Sequence, residues 1–305
     1  MDHSARLKCK NTIIVIVCLF IGITNAFAKN TTIETVPSIQ RWYGGNGVYS
    51  VVDGAKIIIN SSSNRTTSTV AGITSSTTET AAHFVTDLYA ATGVNFVTVK
   101  GNNAATGDIT LTLLNTTDTT LANEGYILEI GNSIEIKANT NNGLYYGTQS
   151  ILQALKAAPN HVNINQGKVV DYPSLPERGI MIDAGRKYWS VSYLKDLIRV
   201  LGWQKMNRLH FHVSEWNAFR LASSNPRFAG LAAIGSYTKA DIEDLEAVAK
   251  KHHVIIVPEI DIPAHAKLLG DYSKGDAFRC ASMSEPDDAP WEGAAGPRWT
   301  LNYTG

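Results

Sequence analysis

The chain has 305 residues, 44% of them hydrophobic, and its 27 basic and 27 acidic side chains leave no formal net charge. This length accommodates two ordinary domains, and the composition suits a soluble globular protein. A balanced charge lacks the basic excess that nucleic-acid binding requires, so we predict no nucleic-acid partner.

The first 28 residues are typical of a secretory signal peptide. Basic side chains precede an apolar run from Ile13 to Ile21, and Ala26-Phe-Ala28 offers a small-residue cleavage site. A membrane anchor is the alternative, but the run is far shorter than the roughly 20 residues that a spanning helix needs. We therefore expect cleavage before Lys29 and a secreted or periplasmic protein, or a lysosomal-type location in a eukaryotic host, without membrane association afterwards.

Cleavage at that point leaves one cysteine. Cys9 and Cys18 belong to the signal segment, and Cys280 remains. An internal disulfide is then impossible, so Cys280 is either a free buried thiol or half of a bridge to a partner outside this chain.

Residues 29–172 predict an accessory α+β domain of the sandwich type. The segment is rich in Thr, Ser and Asn, and its 61–80 region reads as a solvated loop. Two helices are expected, at 81–91 and 143–157, because apolar side chains recur there along one face. The expected strands are 56–60, 108–114, 126–130 and 133–138.

Residues 173–305 predict part of a parallel α/β barrel. The boundary lies near 171–176, where two prolines favour an extended linker. Amphipathic helices capped by Ser192 and Thr238 separate three strand-like segments, which is the order of a (β/α)8 TIM barrel or a doubly wound sheet. A complete barrel takes about 250 residues, so we expect a truncated one. The strand-like segments are 178–183, 208–213 and 254–261.

Polar side chains follow each of these three segments. Chemistry in parallel α/β folds sits at the carboxyl ends of the strands, so we expect these groups to meet at one rim and favour an enzyme. They are Asp183 and Arg186, His212 and Glu215, and Glu259, Asp261 and His265.

Two groups in this set suit sugar binding. Glu259 and Asp261 alternate along a strand end and therefore share one side of it. Together with His265 they suit the binding of sugar hydroxyls or the adjustment of the pKa of a proton donor. A salt-bridge network at the rim explains the same residues equally well. Arg186 follows the turn residue Gly185, and its guanidinium suits vicinal hydroxyls, although an exposed arginine is the commoner outcome.

A metal site is the main competing interpretation. His210 and His212 lie two apart on a strand and resemble the His-x-His pair of metal-dependent barrel hydrolases. Further ligands are not evident from the sequence, so we predict no metal and no cofactor. Four aromatic side chains near the rim suit stacking on sugars, although core packing is the default. They are Tyr188, Trp189, Trp216 and Trp291.

Several motifs occur in order along nearly the whole mature chain. Those in the first part are Glu124-Gly-Tyr126, Gly143-Leu-Tyr-Tyr-Gly-Thr-Gln149 and Asp171-Tyr-Pro173. Those in the second part are residues 178–186, residues 205–214, Phe219-Arg220 and Pro258-Glu-Ile-Asp-Ile-Pro-Ala-His265. Together they resemble the glycoside hydrolase family 20 β-N-acetylhexosaminidases, with an accessory domain followed by the opening of the catalytic barrel.

The resemblance implies roles for the rim residues. Arg186 would bind hydroxyls of the terminal sugar, and His265 with Glu215 would form a network supporting the general acid. The family usually has Asp at the position of Glu215 and Gly at that of Ala264, so the geometry of the network is expected to differ. The remaining expected substrate-binding residues are His212, Glu259 and Asp261.

The implied reaction is hydrolysis of terminal β-linked N-acetylglucosamine or N-acetylgalactosamine from glycans or chitooligosaccharides, with retention and with the substrate's own acetamido oxygen as nucleophile. It needs an adjacent Asp-Glu pair, and none follows His265, since Glu285-Pro-Asp-Asp288 has the wrong order. We therefore expect the full-length parent to be a hexosaminidase and this chain to be nearly inactive. Disaccharide release of the lacto-N-biosidase type, a non-catalytic sugar-binding fragment and the metal-dependent hydrolase stay open.

Overall fold

A computed structural model of the protein describes residues 29–68, 74–216, 218–228, 230–262 and 265. The predicted signal peptide, Cys280, Ala264, Trp291 and the 285–288 motif lie outside the described residues. Within the described part, no helix is both long and apolar enough to cross a membrane.

The N-terminal part is built on a seven-stranded mixed sheet. Its strands are β1 (Arg41–Ser50), β2 (Ala55–Asn60), β5 (Phe96–Gly101), β6 (Ile109–Leu113), β7 (Tyr126–Ile130), β8 (Ile134–Ala138) and β9 (Asn163–Asp171), and a separate hairpin pairs β3 (Thr66–Ser68) with β4 (Thr74–Ser76). The strand order in the sheet is β1-β9-β7-β8-β6-β2-β5. β7 and β8 alternate buried and half-buried residues, as expected for strands with one face in a core.

Two helices cover one face of this sheet. Helix α1 (Thr77–Thr92) begins with a capping box between Ser76 and Glu79 and ends at Gly93, whose φ of 73° is the left-handed conformation that glycine adopts readily. Helix α2 (Asn141–Ala157) is buried all round from Asn141 to Leu155. Such burial means that α2 is enclosed between the sheet and the rest of the molecule.

The C-terminal part contains a three-stranded parallel sheet with helices on one face. Its elements are β10 (Gly179–Asp183), α3 (Val191–Trp203), β11 (Arg208–His212), β12 (Phe219–Leu221), a 3-10 turn (Pro226–Phe228), β13 (Ala232–Tyr237), α4 (Lys239–Lys251) and β14 (Ile255–Glu259). The order is β10-β11-β14, with Asp183, His212 and Glu259 in register, so the three strands end at one level. A short parallel pair, β12 and β13, follows β11.

The two faces of the parallel sheet differ. Ile182, Leu209 and Phe211 face the helices and form a core with their apolar residues, each burial contributing about 1.5–3 kcal/mol. The opposite face carries Met181 and Val257, which are 56% and 40% exposed. Alternation along the strands therefore separates an apolar helix side from the side that bears the polar strand ends.

The two parts meet at the amino ends of the parallel strands. Each contact comes from a residue just before a strand: Arg178 before β10, Lys205 before β11 and His253 before β14. Their partners in the N-terminal part are Glu124 (Nη1 to Oε2, 2.8 Å), Asp171 (Nζ to Oδ2, 2.9 Å) and Asn142 (Nδ1 to Oδ1, 2.7 Å). Among the described residues, the carboxyl ends of the strands carry no contact between the two parts.

Two local predictions are wrong. The residue that caps α3 is Ser190, whose side chain accepts from the backbone N–H of Tyr193, whereas Ser192 was expected. The 61–80 region is not a loop throughout, because it contains the β3–β4 hairpin and the first turn of α1. Serine and threonine side chains there cap and bond backbone groups, so their polarity does not indicate solvation.

Candidate active site

Three polar side chains form a row across the carboxyl ends of β10, β11 and β14. Asp183, His212 and Glu259 are paired in register, and side chains in register on parallel strands project to the same face. His212 is buried, and its Nδ1 lies 3.4 Å from Oε2 of Glu259. These three side chains line the base of the candidate site, which is called its floor below.

Arg186 lies above this floor, held by two carboxylates. Asp183 accepts from the backbone N–H of Arg186 at 2.8 Å and from its Nη1 at 2.7 Å, while Nη2 donates to Oε1 of Glu215 at 2.5 Å. The turn allows this because a Cβ at Gly185 would lie 2.6 Å from Cβ of Glu215, so only glycine fits. The Arg186 side chain stays 56% exposed, with its fork fixed in orientation.

Glu215 links Arg186 to His265. Its side chain is only 3% exposed, and Oε1 receives both the guanidinium of Arg186 and Nδ1 of His265, the latter at 2.5 Å. Oε2 accepts from the backbone N–H of Trp216. A carboxylate only accepts, so Nδ1 of His265 carries the proton and a neutral His265 keeps Nε2 as an acceptor.

The carboxyl groups of Glu259 and Asp261 interact at the end of β14. Hydrogen bonding from the Asp261 carboxyl holds the pKa of Glu259 below its usual value, and the same bond raises the pKa of Asp261. His210 also contacts Glu259 through Nε2. The backbone N–H of Asp261 donates to Oγ of Ser214 at 3.1 Å, which ties the end of β14 to the loop after β11.

The same strand ends also offer metal ligands. One atom each from His212, Glu259 and Asp261 lie within 4.8 Å of one another. The 3.4 Å contact between Nδ1 of His212 and Glu259 is longer than an ordinary hydrogen bond, and among the described residues neither ring nitrogen of His212 has a hydrogen-bond partner. Three such ligands match the number found in catalytic zinc sites, so this is the place where a divalent ion would bind.

The described structure brings all the predicted rim residues to one rim. Arg186, Glu215 and His265 form one connected group, and His212, Glu259 and Asp261 form a second beside it. Their proposed roles stay predictions. Sequence reasoning identified Gly185 as the turn residue before Arg186 but missed Ser214, whose Oγ ties Asp261 to the loop that carries Glu215. A serine at a strand end was the available signal.

Comparison with known proteins identifies the family. Residues 32–172 match "Glycosyl hydrolase family 20, domain 2" and residues 176–293 match "Glycosyl hydrolase family 20, catalytic domain". Among curated relatives, beta-hexosaminidase subunit beta of Sus scrofa is 29% identical over 161 residues, covering 50% of this chain and 30% of the relative. The probable beta-hexosaminidase fdl of Drosophila melanogaster is 32% identical over 182 residues, covering 56% and 26%. The matches thus span about a third or less of these relatives.

Solved structures show the same likeness. The GH20 beta-N-acetylhexosaminidase from Streptomyces coelicolor A3(2) aligns with a TM-score of 0.64 and 26% identity, over 79% of this chain and 49% of that one. The chitobiase of Flavobacterium johnsoniae aligns with a TM-score of 0.65 and 24% identity, over 81% and 37%. The predicted fold class, an α+β domain followed by part of a (β/α)8 barrel, is confirmed. The chain belongs to glycoside hydrolase family 20.

Proposed function

We propose that the protein acts in hydrolysis of terminal β-linked N-acetylhexosamine from glycans or chitooligosaccharides, with retention and with the substrate's acetamido group as nucleophile. The observation that carries this proposal is the connected group Arg186–Glu215–His265 at the carboxyl ends of the parallel strands. Nearly all of the chain after residue 31 matches one hydrolase family, which supports the same conclusion.

Each residue of the group has a chemical role in this proposal. Arg186 binds vicinal hydroxyls of the terminal sugar, because its exposed fork is oriented by Asp183 and Glu215 and retains further N–H donors. Glu215 holds the proton of His265 at Nδ1, so Nε2 is the atom that supports the general acid. Glu259, Asp261 and His212 shape the floor that the sugar contacts.

Residues 29–305 supply sugar-binding groups but not all of the groups that the reaction needs. An adjacent Asp-Glu pair, which would orient the acetamide and protonate the leaving oxygen, does not occur after His265 in the sequence. We propose that residues 29–305 bind the sugar and turn it over slowly or not at all. Rapid hydrolysis of an aryl N-acetylglucosaminide by purified 29–305, abolished in Arg186→Ala or Glu259→Gln, would contradict this.

Binding calorimetry tests the role of Arg186. The chain offers a matched control, since Arg199 is likewise about half exposed and pairs with a carboxylate three residues earlier, Asp196. We expect Arg186→Ala to weaken N-acetylglucosamine binding at least tenfold and Arg199→Ala to leave it unchanged. Equal affinity in wild type and both variants would remove Arg186 from the site.

Comparing the binding of an aryl N-acetylglucosaminide with that of an aryl lacto-N-bioside separates a site for monosaccharide release from one for disaccharide release.

A metal-dependent barrel hydrolase is the second candidate, favoured by the His212–Glu259–Asp261 group. Elemental analysis of the dialysed protein separates the two. Stoichiometric zinc, lost together with sugar binding in His212→Ala, would establish the metal site; an ion content below one tenth per chain would exclude it.

Export and the domain division complete the proposal. Residues 1–28 act as a cleaved signal, residues 29–172 form the accessory domain and residues 173–305 belong to the catalytic barrel. Two polar networks support the division. The Lys205–Asp171 pair joins the two parts, and the Arg186–Glu215 pair lies at the opposite ends of the parallel strands. Amino-terminal sequencing of the exported protein is expected to begin at Lys29. An unprocessed Met1 would contradict the signal assignment.

A further inference from the structure

The turn that carries Arg186 is held by hydrogen bonds to its backbone. The N–H groups of Ala184 and Gly185 donate to the carbonyl of His212 at 2.9 and 3.2 Å. The carbonyl of Ala184 accepts a hydrogen bond at 2.9 Å from Nε of Arg220, a side chain on another strand. The backbone from which Arg186 extends is therefore fixed partly by the guanidinium of Arg220.

Arg220 is half-buried on β12 and contacts two further segments. Its backbone N–H donates at 2.8 Å to the carbonyl of Val213, at the start of the loop that carries Glu215. Its Nη1 donates at 2.7 Å to the carbonyl of Ile234 in β13. Arg220 thus connects the turn before Arg186, the loop after β11 and strand β13.

An arginine suits this place because the pairing with β13 is irregular there. The register between β12 and β13 shifts at Arg220, so residues 233–236 bulge opposite it. A bulge interrupts the bonds between strands, and the carbonyl of Ile234 takes its donor from the Arg220 side chain instead. A planar guanidinium has five N–H donors in a fixed geometry, so it serves this carbonyl and that of Ala184 together. A lysine has one ammonium group on a flexible stem and would hold the two carbonyls less firmly.

We propose that Arg220 is a positioning residue for sugar binding, which acts by fixing the turn from which Arg186 reaches the sugar. Its side chain holds the Arg186 end of the Arg186–Glu215 pair, and its backbone holds the loop at the Glu215 end. A substitution removes the first contact and keeps the second, so the expected effect falls on Arg186. Displacement of a binding group by about 1 Å is enough to weaken its contacts strongly. This inference rests on the proposed function.

The test combines calorimetry with amide hydrogen exchange of residues 184–186. Arg220→Met is expected to weaken N-acetylglucosamine binding about tenfold and to accelerate exchange at 184–186 more than in the rest of the parallel sheet, while Arg220→Lys recovers part of both. The matched control is Arg178→Met, because the Arg178 guanidinium also donates to backbone carbonyls, those of Lys205 and Leu175, but at the amino ends of the strands. The control should lower stability, leave the affinity unchanged and accelerate exchange no more at 184–186 than elsewhere in the sheet.

The outcomes separate this inference from the proposed function. Wild-type affinity in folded Arg220→Met, together with weakened binding in Arg186→Ala, would keep the sugar site and overturn the role of Arg220. An equal loss of affinity in Arg178→Met would assign the effect to general stability and overturn it as well. If wild type binds no N-acetylglucosamine, the proposed function fails, and exchange at 184–186 alone decides whether Arg220 fixes the turn. Should Arg220→Met not fold, Arg220→Lys is compared with wild type by the same two measurements.

Discussion

The substitution Lys205→Met tests the buried ion pair that joins the two parts of the molecule. Nζ of Lys205 lies 2.9 Å from Oδ2 of Asp171 and 2.7 Å from the hydroxyl of Tyr126, and the two charged side chains are only 7% and 9% exposed. Burial lowers the pKa of Lys205, against the opposing effect of Asp171. Methionine preserves the length of the apolar stem and leaves the Asp171 carboxylate without its cation.

We expect this change to lower the free energy of unfolding by about 3–5 kcal/mol, the usual cost of leaving one partner of a buried pair uncompensated. That is a large part of the total stability of a typical domain. The control is Lys239→Met, since Lys239 is 85% exposed and lies 3.4 Å from Glu243 one helical turn away, where a loss under about 0.5 kcal/mol is expected. Urea unfolding, followed by far-UV circular dichroism, measures both.

The double variant Lys205→Met with Asp171→Asn identifies the cause. Neutralising Asp171 removes the uncompensated charge, so the double variant should recover much of the stability lost in Lys205→Met. A single-variant loss under about 1 kcal/mol would refute the reasoning, because it would mean that Asp171 is not isolated from water. A double variant as unstable as the single one would assign the loss to packing instead of charge.

Three further predictions test other parts of the structure. Burial lowers the pKa of His253 to about 3, so the contribution of this group to stability is complete above pH 6.5 and is lost as the pH falls towards 3, by up to about 1.4 kcal/mol per pH unit. Melting curves should therefore show a weaker pH dependence in His253→Asn than in wild type, whereas the exposed control His161→Asn should leave that pH dependence unchanged. In urea unfolding, Gly147→Ala should lower the free energy of unfolding by about 1–3 kcal/mol, because its Cβ would lie 2.5 Å from a side-chain carbon of β8. Gly93→Ala should lower it by about 1 kcal/mol, because of the φ of 73° alone. Glu215→Asp should weaken N-acetylglucosamine binding in calorimetry, since the shorter carboxylate loses its reach to one of its two partners; unchanged affinity would contradict the bridging role.

The pattern of apolar residues was sufficient to predict a strand or helix where that pattern alternates or repeats strongly within the segment. The strand at 126–130 has the predicted bounds, and the helix at 143–157 begins two residues earlier than expected, at Asn141. The three parallel strands also follow from continuous apolar runs between helices. Each of these elements carries its signal within its own residues.

Two of the missed strands, β1 and β9, lack such a signal. β1 contains Gly44, Gly45 and Gly47, and β9 contains polar residues around Gly167, which weakens strand propensity. The two strands pair across more than a hundred residues, and a Cβ at Gly167 would lie 2.5 Å from the ring of Trp42. The glycines are needed for tertiary contact, which a single sequence does not reveal.

The site residues were predictable as a set, whereas their pairing was not. Parallel strands in register bring their carboxyl ends together, so Asp183, His212 and Glu259 meet as a consequence of the fold. That Glu215 would receive both Arg186 and His265 depends on a loop geometry set by a close contact with Gly185. Sequence spacing contains no such distances.

Opposite ends of the same strands carry two charge networks with different consequences. At the amino ends, Lys205 and Asp171 are buried, so their pairing governs stability. At the carboxyl ends, Arg186 is more than half exposed, and the buried Glu215 keeps His265 and the backbone N–H of Trp216 as further partners, so the ion pairs of Arg186 contribute less to stability than the Lys205–Asp171 pair. Loss of Arg186 should therefore weaken sugar binding at least tenfold and shift the unfolding curve less than loss of Lys205 does, whereas loss of Lys205 should lower stability and leave the affinity for the sugar unchanged. The exposure of an ion pair thus distinguishes Arg186, which is needed for binding, from Lys205, which is needed for folding.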